Sequence, residues 1–418
     1  MGDAVEMERR TRERDAFMRE PYPVYARARQ AHGLTYLPEM DAWLVSRYAD
    51  VREVLRRPED FSSAQALRAD VPPSPAVQAE LAKGIRGGRV VLTTDGAAHQ
   101  RLRAPLVRGL AAAKVAALAP YIAERAEALV ASFAADGRAE LMDDYARRLP
   151  GEVLGRLLGF DPADVPAVIH GGYRAEALLF RPMPAEEQLA AARDVVALQH
   201  LLDGHIRRAH AERRDDLCGE LVRGLAPGTS EPTAEQRAEL VSNLQNLLIA
   251  GHLTTTALIG TTLLHLLTDR SRWEALCARP EAIPAAIEEA ARYDPPIQAF
   301  RRITTRPLTL AGTELPEGTA VLVAYGSANR DESRHERPDD FDITRPPART
   351  MAFGHGPHSC PGSQLAREQL HVTLRTLTTH LPGLRLAPGP PPPMLPTLIH
   401  RSPATLQVTW PTGDQGAA

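Results

Sequence analysis

Residues 234–268, AEQRAELVSNLQNLLIAGHLTTTALIGTTLLHLLT, hold the longest apolar stretch of the chain and set the scale of whatever it folds into. Thr233 and Gln236 stand at capping-box spacing and predict where a helix starts. Unbroken, that helix would run roughly 50 Å at 1.5 Å per residue, enough to cross a whole domain. Residues 244–267 come nearest to a membrane span. Gln245, Asn246, His252, His265 and five threonines interrupt them, which predicts a buried helix instead. Its middle, IAGHLTTT, is poorly chosen for a helix. Gly251 costs about 1 kcal/mol against alanine, and Thr254, Thr255 and Thr256 are β-branched.

The rest of the 418 residues supports a soluble globular reading, with 44% hydrophobic residues, 24% charged residues and a net charge of −3. The near balance of charge and the lack of a basic run argue against nucleic acid or an anionic membrane as partner. The charged N-terminus, MGDAVEMERRTRERDAFMRE, has no apolar core of a signal peptide. Cys218, Cys277 and Cys360 are too few and too far apart for a disulfide framework. A cytoplasmic protein is expected.

Periodicity predicts a mainly α fold with a smaller β-rich portion in one large domain. Residues 1–20 read as an N-terminal tail, 21–411 as the domain and 412–418 as a C-terminal tail. Residues 34–46 alternate like two short strands, and residues 62–90 read as a long irregular loop. From 97 to 292 the pattern is helical, with breaks expected near Gly137, Gly171–Gly172 and Pro182–Pro184. Strand-like pieces with turns at Gly312 and Gly318 follow, then a charged coil over 327–350, a helix to His380 and a closing strand near Trp410.

The most unusual segment is FGHGPHSCPG, residues 353–362, directly before a helical stretch. A thiol at the start of a helix meets unpaired N–H groups and the positive end of the dipole, which favour the thiolate. The flanking glycines let the backbone approach a flat or bulky partner. A metal-bound thiolate follows. Zinc held by His355, His358 and Cys360 is one option, although no fourth ligand lies near in sequence.

This segment resembles the haem-binding loop of the cytochrome P-450 family, F-G-x-G-x-H/R-x-C-x-G. Three further stretches resemble the family in the same order: TDGAAHQRLR at 94–103, Glu289-Ala-Ala-Arg292, and SANRDESRHERPDDFDITRP at 327–346. Together they run from about residue 21 to 410. The resemblance implies haem b with Cys360 as axial ligand. It implies propionate contacts from His99, Arg103, Arg302 and His358, and a structural set of Glu289, Arg292 and Arg345. Pro361 departs from the family's usual aliphatic residue but leaves the Gly362 N–H free to donate. Ala250, Gly251 and Thr254 fall on the family's oxygen groove, where Thr254 would serve oxygen activation. Leu253 stands where the family usually carries an acid, and leucine cannot relay a proton. Either water reaches Thr254 by another route, with His252 or a substrate hydroxyl as candidates, or oxygen activation is weakened.

The implied activity is a haem-thiolate monooxygenase that takes two electrons from an external ferredoxin and ferredoxin reductase, activates O2, and hydroxylates or epoxidises a sizeable small molecule, as in polyketide or macrolide tailoring. Oxidative coupling or peroxide-driven oxidation is the alternative, motivated by Leu253; a haem sensor without turnover belongs to another class. Asn246, Ile249, Gln298 and Leu398 are the expected pocket residues, with the 62–90 loop and residues 171–181. Arg101, Arg108 and Arg367 are the expected docking charges, and a monomer is expected.

Overall fold

Thr233 and Gln236 close the capping box reciprocally: Gln236 N–H donates to Thr233 Oγ1 at 3.2 Å, and Thr233 N–H to Gln236 Oε1 at 2.9 Å. The helix so started runs over Ala234–Leu248, passes through a π turn at Ile249–Leu253 and continues over Thr254–Thr268. The computed structural model describes residues 2–69, 72–85 and 87–412. Among these, the continuous rod Ala234–Thr268 is long and apolar enough to span a membrane, and 72% of its most apolar window is buried inside the protein. Leu240, Val241, Leu244 and Leu248 enter the main core before the π turn, and Leu258, Ile259, Leu263 and Leu266 after it. Each such side chain contributes on the order of 2 kcal/mol of hydrophobic stabilisation.

Helices surround the rod, and the β portion lies beside them. A five-stranded sheet has the order Thr35–Leu37, Ala42–Val45, Ala320–Ala324, Ala299–Thr304, Phe61–Ser62. Ala42–Val45 runs parallel to Ala320–Ala324, with Trp43 opposite Val321, and the remaining neighbours are antiparallel. A smaller sheet joins Arg138–Glu140, Gln407–Thr409 and Arg385–Leu386, which ties the chain's end to its helical core.

Three sequence expectations are revised. Helix Val165–Phe180 runs straight through Gly171 and Gly172. A Cβ on Gly171 would lie 2.8 Å from Leu198, so this glycine allows a close helix approach rather than a break. The 62–90 segment contains a helix, Pro75–Leu81, with Ser74 Oγ accepting from Val77 N–H. The segment read as an N-terminal tail forms helix Gly2–Arg19, whose last turn buries Phe17 and Met18 beside Tyr25. Residues 413–418 of the expected C-terminal tail lie outside the described residues.

His252 and His335 sit in the interior as neutral rings. Burial pushes His252 from 6.5 down to about 4, and burial together with Arg292, Arg345 and Arg334 does the same to His335. The folded state therefore binds fewer protons than the unfolded chain between pH 6.5 and about 4. Stability from this source is complete above that window and falls as pH drops through it. Urea midpoints measured at about pH 7 and about pH 5 should show the loss, and His252→Asn should reduce the difference.

Candidate functional site

The segment 353–362 is a tight loop whose glycines do what the sequence requires of them. Gly354 and Gly356 adopt φ of +71° and +70°. Cys360 N–H donates to Phe353 O at 2.8 Å, which turns the cysteine back over the loop. Helix Ser363–His380 follows at once. Burial pushes the Cys360 thiol up, while the Gly362 N–H, Arg103 and Arg367 oppose that shift by favouring the thiolate. Proline at 361 therefore leaves the Gly362 donor in place.

Cys360 opens onto a cavity of about 230 Å3 whose other wall is the distorted middle of the long helix. Ala250, Gly251 and Thr254 border it, as do Asn246 and Ile249. The π turn is the physical outcome of the weak IAGHLTTT stretch: the i→i−4 ladder is opened and threonines cover it. Thr254 Oγ1 donates to Ala250 O at 2.6 Å, and Thr255 Oγ1 to Gly251 O at 3.4 Å. His252 does not reach this cavity. Its Nε2 lies 3.2 Å from Arg147 O, and its ring packs edge-on to Tyr173.

A cluster of cationic and donor groups closes one end. Arg103, Arg302 and His358 border the cavity, and the His99 ring lies 4.1 Å from that of His358. His99 Nε2 is buried with no hydrogen-bond partner among the described residues. Burial, then His358 and Arg103, push His99 down to about 4. Asp95 positions the cluster: it faces His358 Nε2 at 3.3 Å and accepts from Ser62 Oγ at 2.6 Å and Ser63 Oγ at 2.7 Å. Burial raises the Asp95 carboxyl, but these hydrogen bonds outweigh it and hold it below the usual carboxylate range. Such a set suits a flat group carrying two carboxylates, which needs several donors when buried. A thiol on one face and an orphaned ring nitrogen at the edge fit haem. Zinc does not fit, because no three His, Cys, Asp or Glu groups converge among the described residues.

Residues 281–408 match the family described as cytochrome P-450. The vitamin D(3) 25-hydroxylase of Pseudonocardia autotrophica is 34% identical over 382 residues, covering 89% of this chain and 89% of that protein. This chain belongs to the cytochrome P-450 family. The mycinamicin IV hydroxylase/epoxidase of Micromonospora griseorubida is 35% identical over 376 residues, covering 88% of this chain and 90% of that protein. Among solved structures, cytochrome P-450 CREJ in complex with (4-ethylphenyl) dihydrogen phosphate superposes with a TM-score of 0.87 at 29% identity. It covers 94% of this chain and 98% of that one. The fold, a haem-thiolate cofactor and monooxygenase chemistry with a small molecule, O2 and redox partners follow for this P-450.

In this P-450 the Glu289 set is assembled and buried. Arg292 Nε and Nη2 donate to Glu289 Oε2 and Oε1 at 2.7 and 2.8 Å, and Arg345 Nε lies 3.2 Å from Oε2. Arg292 also donates to Asn329 O, Pro338 O and Asp340 O, clamping the coil to the helix before it.

Two expected pocket residues lie elsewhere. Gln298 is fully buried and donates from Nε2 to Tyr22 Oη and Pro295 O, away from the cavity. Leu398 packs with Tyr25 and Leu44. Their neighbours Ile297, Phe300, Ile399 and His400 line the cavity instead. From the 62–90 loop Leu67 reaches it, and from 171–181 Phe180 does. The expected docking charges are already paired, Arg101 with Glu239, Arg108 with Glu220 and Arg367 with Glu288.

Proposed function

We propose that this P-450 hydroxylates or epoxidises a sizeable, partly polar small molecule of natural-product type, with Cys360 as the residue that would hold the haem iron and electrons from an external ferredoxin and its reductase. The observation that carries this reading is Thr254 on an opened helix turn, bordering the same cavity as Cys360. When bound, haem on a cysteine thiolate supplies O2 activation and O–O cleavage. His99, Arg103, Arg302 and His358 would hold its carboxylates, and the Gly362 N–H would steady the thiolate sulfur. Thr254 holds its hydroxyl proton on Ala250 O and can turn it into the cavity. Apolar walls such as Ile249, Ile297 and Phe300 exclude water, while Asn246 and His400 offer polar contacts. Two relatives are named for a vitamin D and a mycinamicin, which supports a bulky substrate.

A titration against vitamin D, polyketide, peptide and fatty-acid compounds tests this, read by the haem spectrum as water leaves the iron. Saturable shifts with bulky oxygenated compounds support the reading, and shifts with fatty acids alone contradict it. Thr254→Val should lower product formed per electron by roughly tenfold or more, with hydrogen peroxide rising in step.

Among the described residues no Asp or Glu borders the main cavity. That observation keeps peroxide-driven oxidation or oxidative coupling as a second reading, separated by comparing turnover on peroxide alone with turnover on the ferredoxin system.

A further inference from the structure

We propose that His400, oriented by Glu176, is the relay residue that carries protons from a second, polar cavity behind the long helix into the main cavity, in place of an acid at position 253. The inference rests on the haem-thiolate reading above and concerns this chain's own route to the site.

The second cavity, of about 190 Å3, is bordered by Arg147, Tyr173, Arg181, Leu253, Thr256 and His400. Leu253 faces it as a buried apolar side chain, so the long helix offers no titratable group there. Among the described residues, His400 alone borders both this cavity and the main one. The Arg147 and Arg181 side chains are 25% and 26% exposed, so the outer wall of the second cavity reaches solvent. Water belongs in such a space, because it is roomy and rich in donors and acceptors.

The carboxylate absent at 253 is supplied from another helix. Glu176, on Val165–Phe180, is fully buried; its Oε1 lies 3.1 Å from His400 Nδ1 and its Oε2 lies 2.8 Å from Arg181 Nη2. Hydrogen bonding to His400 and the charge of Arg181 outweigh burial and keep Glu176 ionised. An ionised partner fixes the Nδ1–H tautomer, leaving Nε2 to exchange protons. The groups that face His400 are Glu176, Tyr173 and Arg181 from that helix and its end, Arg147 from the segment before helix Arg148–Leu158, and His252 from the π turn. His252 is held neutral by burial and bonded to Arg147 O, so it does not compete.

The step moves one proton and no other atom. A hydrated proton that enters the second cavity from solvent passes to His400 Nε2 and leaves water behind, forming an imidazolium that Glu176 stabilises. Nε2 then releases it to water in the main cavity beside Thr254, and the neutral ring is restored.

Cyanide and carbon monoxide binding to the holoenzyme test this without turnover. Hydrogen cyanide must shed a proton inside the main cavity as it binds, whereas carbon monoxide carries none. His400→Phe and His400→Gln should slow cyanide association by about tenfold or more, with carbon monoxide association changed by less than about twofold. Glu176→Gln should also slow cyanide association, since the ring loses the carboxylate that orients its Nδ1. Equal slowing of both ligands, or no slowing of either, overturns the proposal. Failure of the haem-thiolate reading is distinct: the wild-type carbon monoxide difference spectrum would then lack the thiolate signature.

Discussion

Serine in place of Cys360 is expected to abolish the thiolate signature of the reduced, carbon monoxide-bound protein while the fold survives. The reason is local. Cys360 sits at the mouth of a tight loop and faces the cavity, so the isosteric change removes no core packing. What it removes is the soft anionic ligand, which a serine hydroxyl does not replace near neutral pH. Product formation with the ferredoxin system should vanish with the spectral band. Far-ultraviolet circular dichroism should stay unchanged, since the loop is held by its own backbone bond from Cys360 N–H to Phe353 O. A Cys360→Ser protein that keeps the thiolate spectrum would show that another residue binds the iron.

Alanine in place of Glu289 is expected to destabilise the fold by about 3–5 kcal/mol. Glu289 and Arg292 side chains are each 2% exposed, and Arg345 closes the set at 13%. Removing the carboxylate leaves two guanidinium groups close together, one of them fully buried, and frees the Asp342 N–H that Glu289 Oε1 accepts. Glu289→Gln keeps the shape and part of the hydrogen bonding, and it should lose less. Denaturant midpoints of both variants check this, and haem retention should fall in the same order because the clamped coil leads into the cysteine loop. Equal stability of Glu289→Ala and wild type would contradict a structural role for the set.

Local motifs were legible in the sequence wherever chemistry and backbone geometry coincide. The Cys360 loop carries its own chemistry, whereas the His99 and Arg103 pair four residues apart and Glu289 with Arg292 three apart were legible only through the family resemblance, since any solvated helix face can show those spacings. The weak IAGHLTTT stretch was visible as a misfit, and the π turn at Ile249–Leu253 is its structural expression. Sidedness in irregular segments was not legible. Gln298 and Leu398 missed the cavity while their immediate neighbours face it, since no helical or strand period extends over those turns. Gly171 misled for another reason: its small size serves contact with Leu198, a tertiary requirement that propensity does not contain. The Glu176 and His400 pair lies 224 positions apart in the chain, and neither residue sits in a motif.

Turnover under isotopically labelled dioxygen tests the central claim most directly. The holoenzyme, a ferredoxin with its reductase, and the compounds that shift the haem spectrum would be incubated together, and the product examined by mass spectrometry. A monooxygenase places one labelled oxygen atom in the product and releases the other as water. Oxidised product without labelled oxygen, or product formed only when peroxide replaces the electron donor, would contradict the account.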